Sequence, residues 1–528
     1  MSGTWNVKTS LILLMAILPA CWAQQNAAHQ PHPIGTPIRT SSGFIVGHAA
    51  PHRPEVSEYL GIPYASPPTG RLRFAPPVNY VSNDTILADS YSLDCPANIA
   101  PPPSYPGLTP QGPGIIELLV GQNSTPKGED CLYLNVWTRP AASLKPVLVA
   151  IHGGRYETGS VNNALYDGQE LAADHDAVVV TINYRVDIFG FPGAPGLSQN
   201  VGLLDQRMAI EWIHRNIAGF GGDANRITIF GQSAGASSVD IYSYAWADDP
   251  IVSGLISHSG TALSFVPNTP EDSAMRFYNV SHVLGCGDAS DNTQEVIDCV
   301  RQKPWQDVMD ASENLPPILS ATIPLAPFHP TVDGIIVFDN YTERSAAGEF
   351  APLPYLVTSN NNEAAFYKIS AYAFNISLSQ ATWDNFTLAA FTCPSAATVK
   401  DRAAHGVPAW QSRYFAQWHN LRLYPGSGAY HASDLPMVLN TAERTTGSPN
   451  SDRQAELARY MGSAWVAFAS DPHDGLTRFG WPRYNPLEPT LMGLGYMNST
   501  TAQFLRPAEI DRDCVALHGD ITPGSGAI

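Results

Sequence analysis

One serine stands out among the residues able to do chemistry, in Gly231-Gln232-Ser233-Ala234-Gly235. A serine hydroxyl is a weak nucleophile until a base takes its proton and the backbone presents it. The bare pattern says little, since about 0.2 matches arise by chance in a chain this long at ordinary glycine and serine usage. Its surroundings say more. The apolar run Arg226-Ile-Thr-Ile-Phe230 before it predicts a strand, and a helical pattern starts near Ala234. A tight strand-to-helix turn forces the serine into a strained conformation that exposes its Oγ, and small flanking residues remove the clashes. Upstream, His152-Gly153-Gly154-Arg155-Tyr156 closes another apolar run. Backbone N–H groups of such a loop can hold the negative charge that acyl transfer puts on a carbonyl oxygen, at ~3 kcal/mol per donor. The base must be a histidine and its orienting partner a carboxylate, in the chain order serine, acid, histidine. His258, His282, His329, His405, His419, His431, His473 and His518 all qualify, and spacing does not rank them.

These groups need elements to position them. Pro146 to His152 and Ala177 to Asn183 are short continuous apolar runs, as expected of strands buried on both faces. Leu203 to Ile217 has helical spacing, with Leu204, Met208 and Trp212 on one face, and Gly219 and Gly221 close it. Leu255 to Ser257 and Tyr355 to Thr358 are further short strands. Strands alternating with helices predict an α/β sheet, in which sites form outside the carboxyl ends of the strands. Both glycine motifs fall at such ends. No internal repeat and no flexible linker divides the chain.

Several further segments carry a resemblance. Glu129-Asp-Cys-Leu-Tyr-Leu-Asn-Val136, Gly202-Leu-Leu-Asp-Gln-Arg207, Phe220-Gly-Gly-Asp223 and Phe230-Gly-Gln-Ser-Ala-Gly235 occur in order. From about Gly43 to Tyr484 the chain resembles the type-B carboxylesterase and cholinesterase-like family, in its fungal branch. The resemblance implies one α/β-hydrolase domain over 24–528. It has a central, mostly parallel sheet flanked by helices, with long loop and helical insertions forming a gorge. Thr358-Ser-Asn-Asn-Asn-Glu363 resembles the segment with the acid, so Glu363 would orient the base. Gly428-Ala-Tyr-His431-Ala-Ser-Asp-Leu435 resembles the histidine segment, so His431 would be that base. Gly154, Arg155 and Ala234 would donate the oxyanion N–H groups. Ser259, in Ser259-Gly260-Thr261, would lie behind the histidine, and Gln232 beside the nucleophile. The resemblance also pairs Cys95 with Cys131 and Cys286 with Cys299, which leaves Cys393 and Cys514 for each other.

The chain departs from the family pattern at four points. Arg155 replaces the third glycine of the oxyanion loop and brings a cation toward the pocket. Gln232 stands where many members carry Glu. Ala364 follows the acid in place of glycine. The interval from Glu363 to His431 is short, which implies a trimmed gorge. Cholinesterases also place a choline-binding tryptophan before the second cysteine of their first loop. Between Cys95 and Cys131 the only aromatic residue is Tyr105. Without that cation–π platform, acetylcholine is disfavoured as a substrate.

Composition narrows the setting. Hydrophobic residues make up 44% of the 528, enough for a large core, and the net charge is -18. Lys and Arg are scattered, so nucleic acid is an unexpected partner. Lys8, the apolar run Leu11–Leu18 and small residues up to Ala23 have the layout of a cleaved secretory leader, residues 1–23. No later run approaches the ~20 apolar residues of a membrane span. Acceptor patterns for N-glycosylation occur at Asn83, Asn123, Asn279, Asn340, Asn375, Asn385 and Asn498. Once Cys21 leaves with the leader, six cysteines remain, a number that suits three disulfides in an oxidising compartment. Taken alone they allow fifteen connectivities. No Cys-x-x-Cys pair offers metal ligands, and the triad needs no cofactor.

The expectation is a secreted serine esterase, located outside the cell or in the cell wall, acting on small-molecule esters through an acyl-enzyme. Three other readings use the same residues differently. A triacylglycerol lipase would be a narrower version. A tailoring enzyme of fungal specialised metabolism would keep the triad for acyl transfer or elimination. An adhesion protein of this family would have lost the serine, which is present here.

Overall fold

The structure is a computed structural model that describes Met1 and residues 33–98, 104–121, 125–315 and 327–514. The expected leader beyond Met1, Asn123 and His518 lie outside the described residues. Among the described residues, eleven strands form the main sheet. In chain order they are β1 (His48–Ala49), β2 (Ser57–Pro63), β3 (Tyr133–Thr138), β4 (Lys145–Ile151), β5 (Val178–Ile182) and β6 (Gly222–Gln232). Then come β7 (Gly254–His258), β8 (Tyr355–Asn360), β9 (Ala409–Tyr414), β10 (Leu491–Leu494) and β11 (Gln503–Leu505). The spatial order is β11-β10-β9-β8-β7-β6-β4-β5-β3-β2-β1. Pairings from β10 across to β5 are parallel, and the strands beyond them at both edges are antiparallel. Ile38–Thr40, Gly43–Val46 and Thr85–Leu87 make a separate small sheet.

The apolar runs behave as their period requires. Successive side chains of a strand point to opposite faces. Val147, Val149 and Ile151 of β4 enter one hydrophobic core, while Leu148 and Ala150 enter another. Ile227 and Ile229 of β6 join the first core and Phe230 the second. A run that is apolar at every position is therefore a strand covered on both sides. The first face is covered by α1 (Val201–Asn216), through Leu203, Ile210, Trp212 and Ile213. From Ser233, α2 (Ala234–Ala245) turns back along the sheet. Three helices follow β8 at the site: α3 (Ala364–Ala373), α4 (Gln380–Thr387) and, beyond one π-helical turn, α5 (Cys393–Ala404). The second face is covered by α6 (Asp452–Ser470), through Leu457, Met461, Trp465 and Phe468. Among the described residues, no helix is long and apolar enough to cross a membrane.

Buried charges tie the elements together. Arg185 forms a bidentate pair with Asp205 of α1, both Nε–Oδ2 and Nη2–Oδ1 at 2.7 Å. Arg402 of α5 meets Asp240 of α2 at 2.7 Å, with both side chains fully buried. Three disulfides join Cys95 to Cys131, Cys286 to Cys299 and Cys393 to Cys514. The first lies between segments whose Asn98, Leu119 and Val120 line the cavity that holds Ser233.

Candidate active site

The central strand delivers the serine. Gly231 of β6 pairs with Ile151 of β4 on one side and Ser257 of β7 on the other. The strand ends at Gln232, and Ser233 follows with φ 58° and ψ -123°. That conformation is costly for a non-glycine residue. Its neighbours hold it there, and its N–H donates to the His258 carbonyl at 2.8 Å. The flanking glycines are needed for space. A Cβ on Gly231 would sit 2.2 Å from the Gly235 carbonyl carbon, and one on Gly235 2.2 Å from the Ile151 oxygen. The turn is thus wedged between two strands with no room for a methyl group.

The neighbouring glycine loop lies against this turn. A Cβ on Gly153 would come within 2.9 Å of the Ser233 Cβ. His152 anchors the loop. Its Nδ1 contacts the Gly153 carbonyl at 2.8 Å, its ring stacks on Tyr184 at 4.3 Å, and Tyr184 Oη donates to its carbonyl. Burial lowers the His152 pKa to about 4, so its imidazole is neutral and structural near neutral pH. Gly154 and Arg155 both have positive φ, 108° and 60°. Arg155 pays a conformational cost there that a glycine would not. Its guanidinium turns toward Glu157, Nε to Oε1 at 3.6 Å, on the wall of the same cavity as Ser233.

Among the candidate histidines within the described residues, the structure brings His431 to Ser233. Both line one cavity of about 390 Å³. His431 Nδ1 lies 2.6 Å from Glu363 Oε2. Glu363 caps α3 just past the end of β8 and is fully buried. Its other oxygen accepts from Ser259 Oγ and from the Asn360 N–H, both at 2.6 Å. A carboxylate held at three points fixes the imidazole ring it faces. Nε2 of His431 lies 3.0 Å from the Gln232 amide nitrogen. While the imidazole is neutral, with its proton on Nδ1, Nε2 is the acceptor and the amide N–H the donor.

His258 is also buried near the serine, yet both its nitrogens are engaged. Nδ1 meets Asp434 Oδ2 at 2.7 Å, and Nε2 accepts from Trp465 Nε1 at 3.0 Å. Asn360 Nδ2 donates to Asp434 Oδ1. The imidazole and hydrogen bonds beside Asp434 hold its carboxyl below the usual range, against its burial. This second acid–histidine pair supports the strand end whose carbonyl holds the Ser233 N–H.

Residue types alone did not single out His258–Asp434–Trp465, because its members lie far apart in sequence. Tyr367 was missed as well. It sits on α3, one turn after Glu363, with its ring 5.1 Å from that of His431. Burial raises its phenol pKa, and the Arg155 charge and the Ser233 hydroxyl act in the other direction. Phe366, Phe374, Leu119, Val120, Leu315 and Ala432 supply most of the cavity's apolar wall.

A strained serine between a central parallel strand and a helix, on a mixed sheet covered by helices, is the architecture of an α/β hydrolase. The sequence comparison is more specific. A family model described as the carboxylesterase family matches residues 35–387 and 371–512, and the chain belongs to that family. It is 36% identical over 454 residues to a chlorogenic acid esterase of Aspergillus niger, covering 84% of both chains. It is 32% identical over 501 residues to secreted lipase 5 of Gibberella zeae, covering 89% of this chain and 92% of the relative. An acetylcholinesterase of Electrophorus electricus is 35% identical over 346 residues, which are 63% of this chain and 52% of the relative. The protein is a carboxylic ester hydrolase.

Proposed function

We propose that the chain is a secreted serine carboxylesterase in which Ser233, His431 and Glu363 form the catalytic triad. The observation that carries this is the meeting of Ser233 on its strained turn with the Glu363–His431 pair in one cavity. His431 Nε2 takes the Ser233 proton as Oγ attacks the ester carbonyl. Glu363 keeps the proton on Nδ1 and balances the charge that the imidazole gains. The carbonyl oxygen swings toward the N–H groups of Gly154, Arg155 and Ala234. The last belongs to the first turn of α2, where no carbonyl one turn back can accept it. His431 then protonates the departing alcohol, and water repeats the sequence on the acyl-enzyme. The Gln232 amide holds Nε2 in the resting site and must yield it to the serine before attack.

The cavity favours an uncharged, largely apolar acyl or aryl group, because Leu119, Val120, Leu315, Phe366 and Phe374 line it. Kinship with a chlorogenic acid esterase suits aromatic acyl esters in particular. A long-chain lipase is the second reading, favoured by the secreted lipase relative. Secretion is supported by that relative, by the three disulfides and by the leader layout. The test compares wild type and Ser233→Ala on aryl acetates, a hydroxycinnamoyl ester and an emulsified triglyceride. The wild type should prefer soluble aryl or aromatic acyl esters, and the variant should lose ~10⁴-fold or more in kcat on all of them. Equal hydrolysis by the variant contradicts the triad. A wild-type preference for the emulsion contradicts the acyl class alone.

A further inference from the structure

On the outer side of α3, opposite the active-site cavity, lies a second groove of about 460 Å³. Its walls are Tyr105, Lys368, Tyr372, Trp383 and the tripeptide Asn375-Ile376-Ser377, with Leu378 and Gln380 beside them. The volume falls within the ~300–1,000 Å³ of pockets that hold small organic ligands. The Tyr105 and Tyr372 rings meet edge to face at 5.4 Å, and Tyr372 is 47% exposed. Lys368 Nζ donates to Gln380 Oε1 at 2.8 Å and Gln380 Nε2 to Asp384 Oδ1 at 2.7 Å, so polar groups stand along one wall, and the Lys368 ammonium keeps further N–H groups to donate. Flat apolar rings with polar groups at one side suit a sugar, whose ring faces are rich in C–H and whose rim carries hydroxyls.

The acceptor asparagine is part of this groove. Asn375 has φ 57°, which turns it out of the end of α3, and it is exposed. Its N–H donates to the Tyr372 carbonyl and that of Ile376 to the Ala371 carbonyl, so the turn is fixed against the helix. Asn375-Ile376-Ser377 is also an acceptor pattern for N-glycosylation. A glycan rooted there has its first sugars at high local concentration over the aromatic walls.

We propose that this groove seats the proximal sugars of an N-glycan attached to Asn375. The seated sugars clamp the Tyr105 loop, which the Cys95–Cys131 bridge closes, against α3. The inner side of α3 carries Phe366, Tyr367 and Phe374 on the active-site wall, so the glycan would brace the wall from behind. The proposal rests on the secretory reading above.

The test uses the full-length enzyme secreted from a eukaryotic host, with site-resolved glycopeptide mass spectrometry. Digestion of the native protein with a peptide-N-glycosidase should release the glycans at Asn83 and Asn498 first. Release at Asn375 should be about tenfold slower, because cleavage follows the unseated fraction. Tyr372→Ala, and separately Lys368→Ala, should bring Asn375 release to the rate at Asn83. An Asn375 that is empty while Asn83 and Asn498 are occupied overturns the proposal and leaves secretion standing. So does equal release at all sites in the wild type, or slow Asn375 release in both variants. A protein with no glycan anywhere overturns the secretory reading and this proposal with it.

Discussion

At the residue scale, the geometry around His431 makes separable demands. Ser259 Oγ is one of three groups that fix the Glu363 carboxylate. Ser259→Ala should lower kcat by about tenfold and leave KM nearly unchanged, the loss expected when an orienting hydrogen bond disappears. Steady-state kinetics on a soluble aryl ester checks this. Gln232 touches His431 Nε2. Gln232→Glu places a carboxylate there and favours the protonated imidazole. The acidic limb of the kcat/KM profile should then move to higher pH by about one unit, worth ~1.4 kcal/mol. A pH series from 5 to 9, read as about 0.1-unit changes in midpoint, decides it. An unmoved limb would mean that Gln232 does not bear on the base. The residue signals were of unequal quality. Ser233 was legible because strand, glycines and helix are consecutive. His431 was not, because eight histidines follow the serine and only the family pattern chose among them. Asp434 and Tyr367 gave no signal, since their partners are set by how β7, α3 and α6 pack.

At the element scale, the parallel β9 was not readable, because its buried Gln411, Ser412 and Arg413 break the apolar pattern. The parallel strands β4 to β8 were, because their buried runs are mostly apolar. The antiparallel edge strands were not. β1 and β11 have two and three residues, too few to show a period. The chain between them is held by charge as well as by apolar burial. Arg185 and Asp205 are buried together, and the Asp205 carboxylate also accepts the Arg185 N–H at 3.1 Å. Removing one partner strands the other charge, so Asp205→Ala should cost about 3–5 kcal/mol. Denaturant unfolding with an unchanged slope and a lower midpoint checks the prediction. An Arg185→Met/Asp205→Leu double variant should recover much of the loss.

Across the whole molecule, one buried acid sets a pH dependence of stability. Asp187 has its Oδ1 bonded to Ser312 Oγ and the Ile188 N–H, while Oδ2 has no partner among the described residues. Burial pushes its carboxyl up to about 7. The folded state therefore holds a proton that the unfolded chain releases near pH 4. The stability this proton contributes is complete below about pH 4 and is lost as pH rises through about 7. Asp187→Asn should remove that loss. Its gain over wild type should grow between about pH 4 and 7 and level off above, at up to about 4 kcal/mol. Thermal unfolding of both proteins at stepped pH shows it, and a constant difference contradicts it. The Cys393–Cys514 bridge spans 121 residues and ties the start of α5 to the segment that follows the short helix Pro507–Ile510. Its removal should cost about 2–5 kcal/mol.

The identity of the nucleophile is the claim on which the mechanism depends. Treating the enzyme with a fluorophosphonate and mapping the adduct by peptide mass spectrometry tests it most directly. The account predicts one adduct, on Ser233, formed in step with loss of activity and absent from Ser233→Ala. Complete inactivation with the adduct on another residue, or full esterase activity while Ser233 is modified, would contradict it.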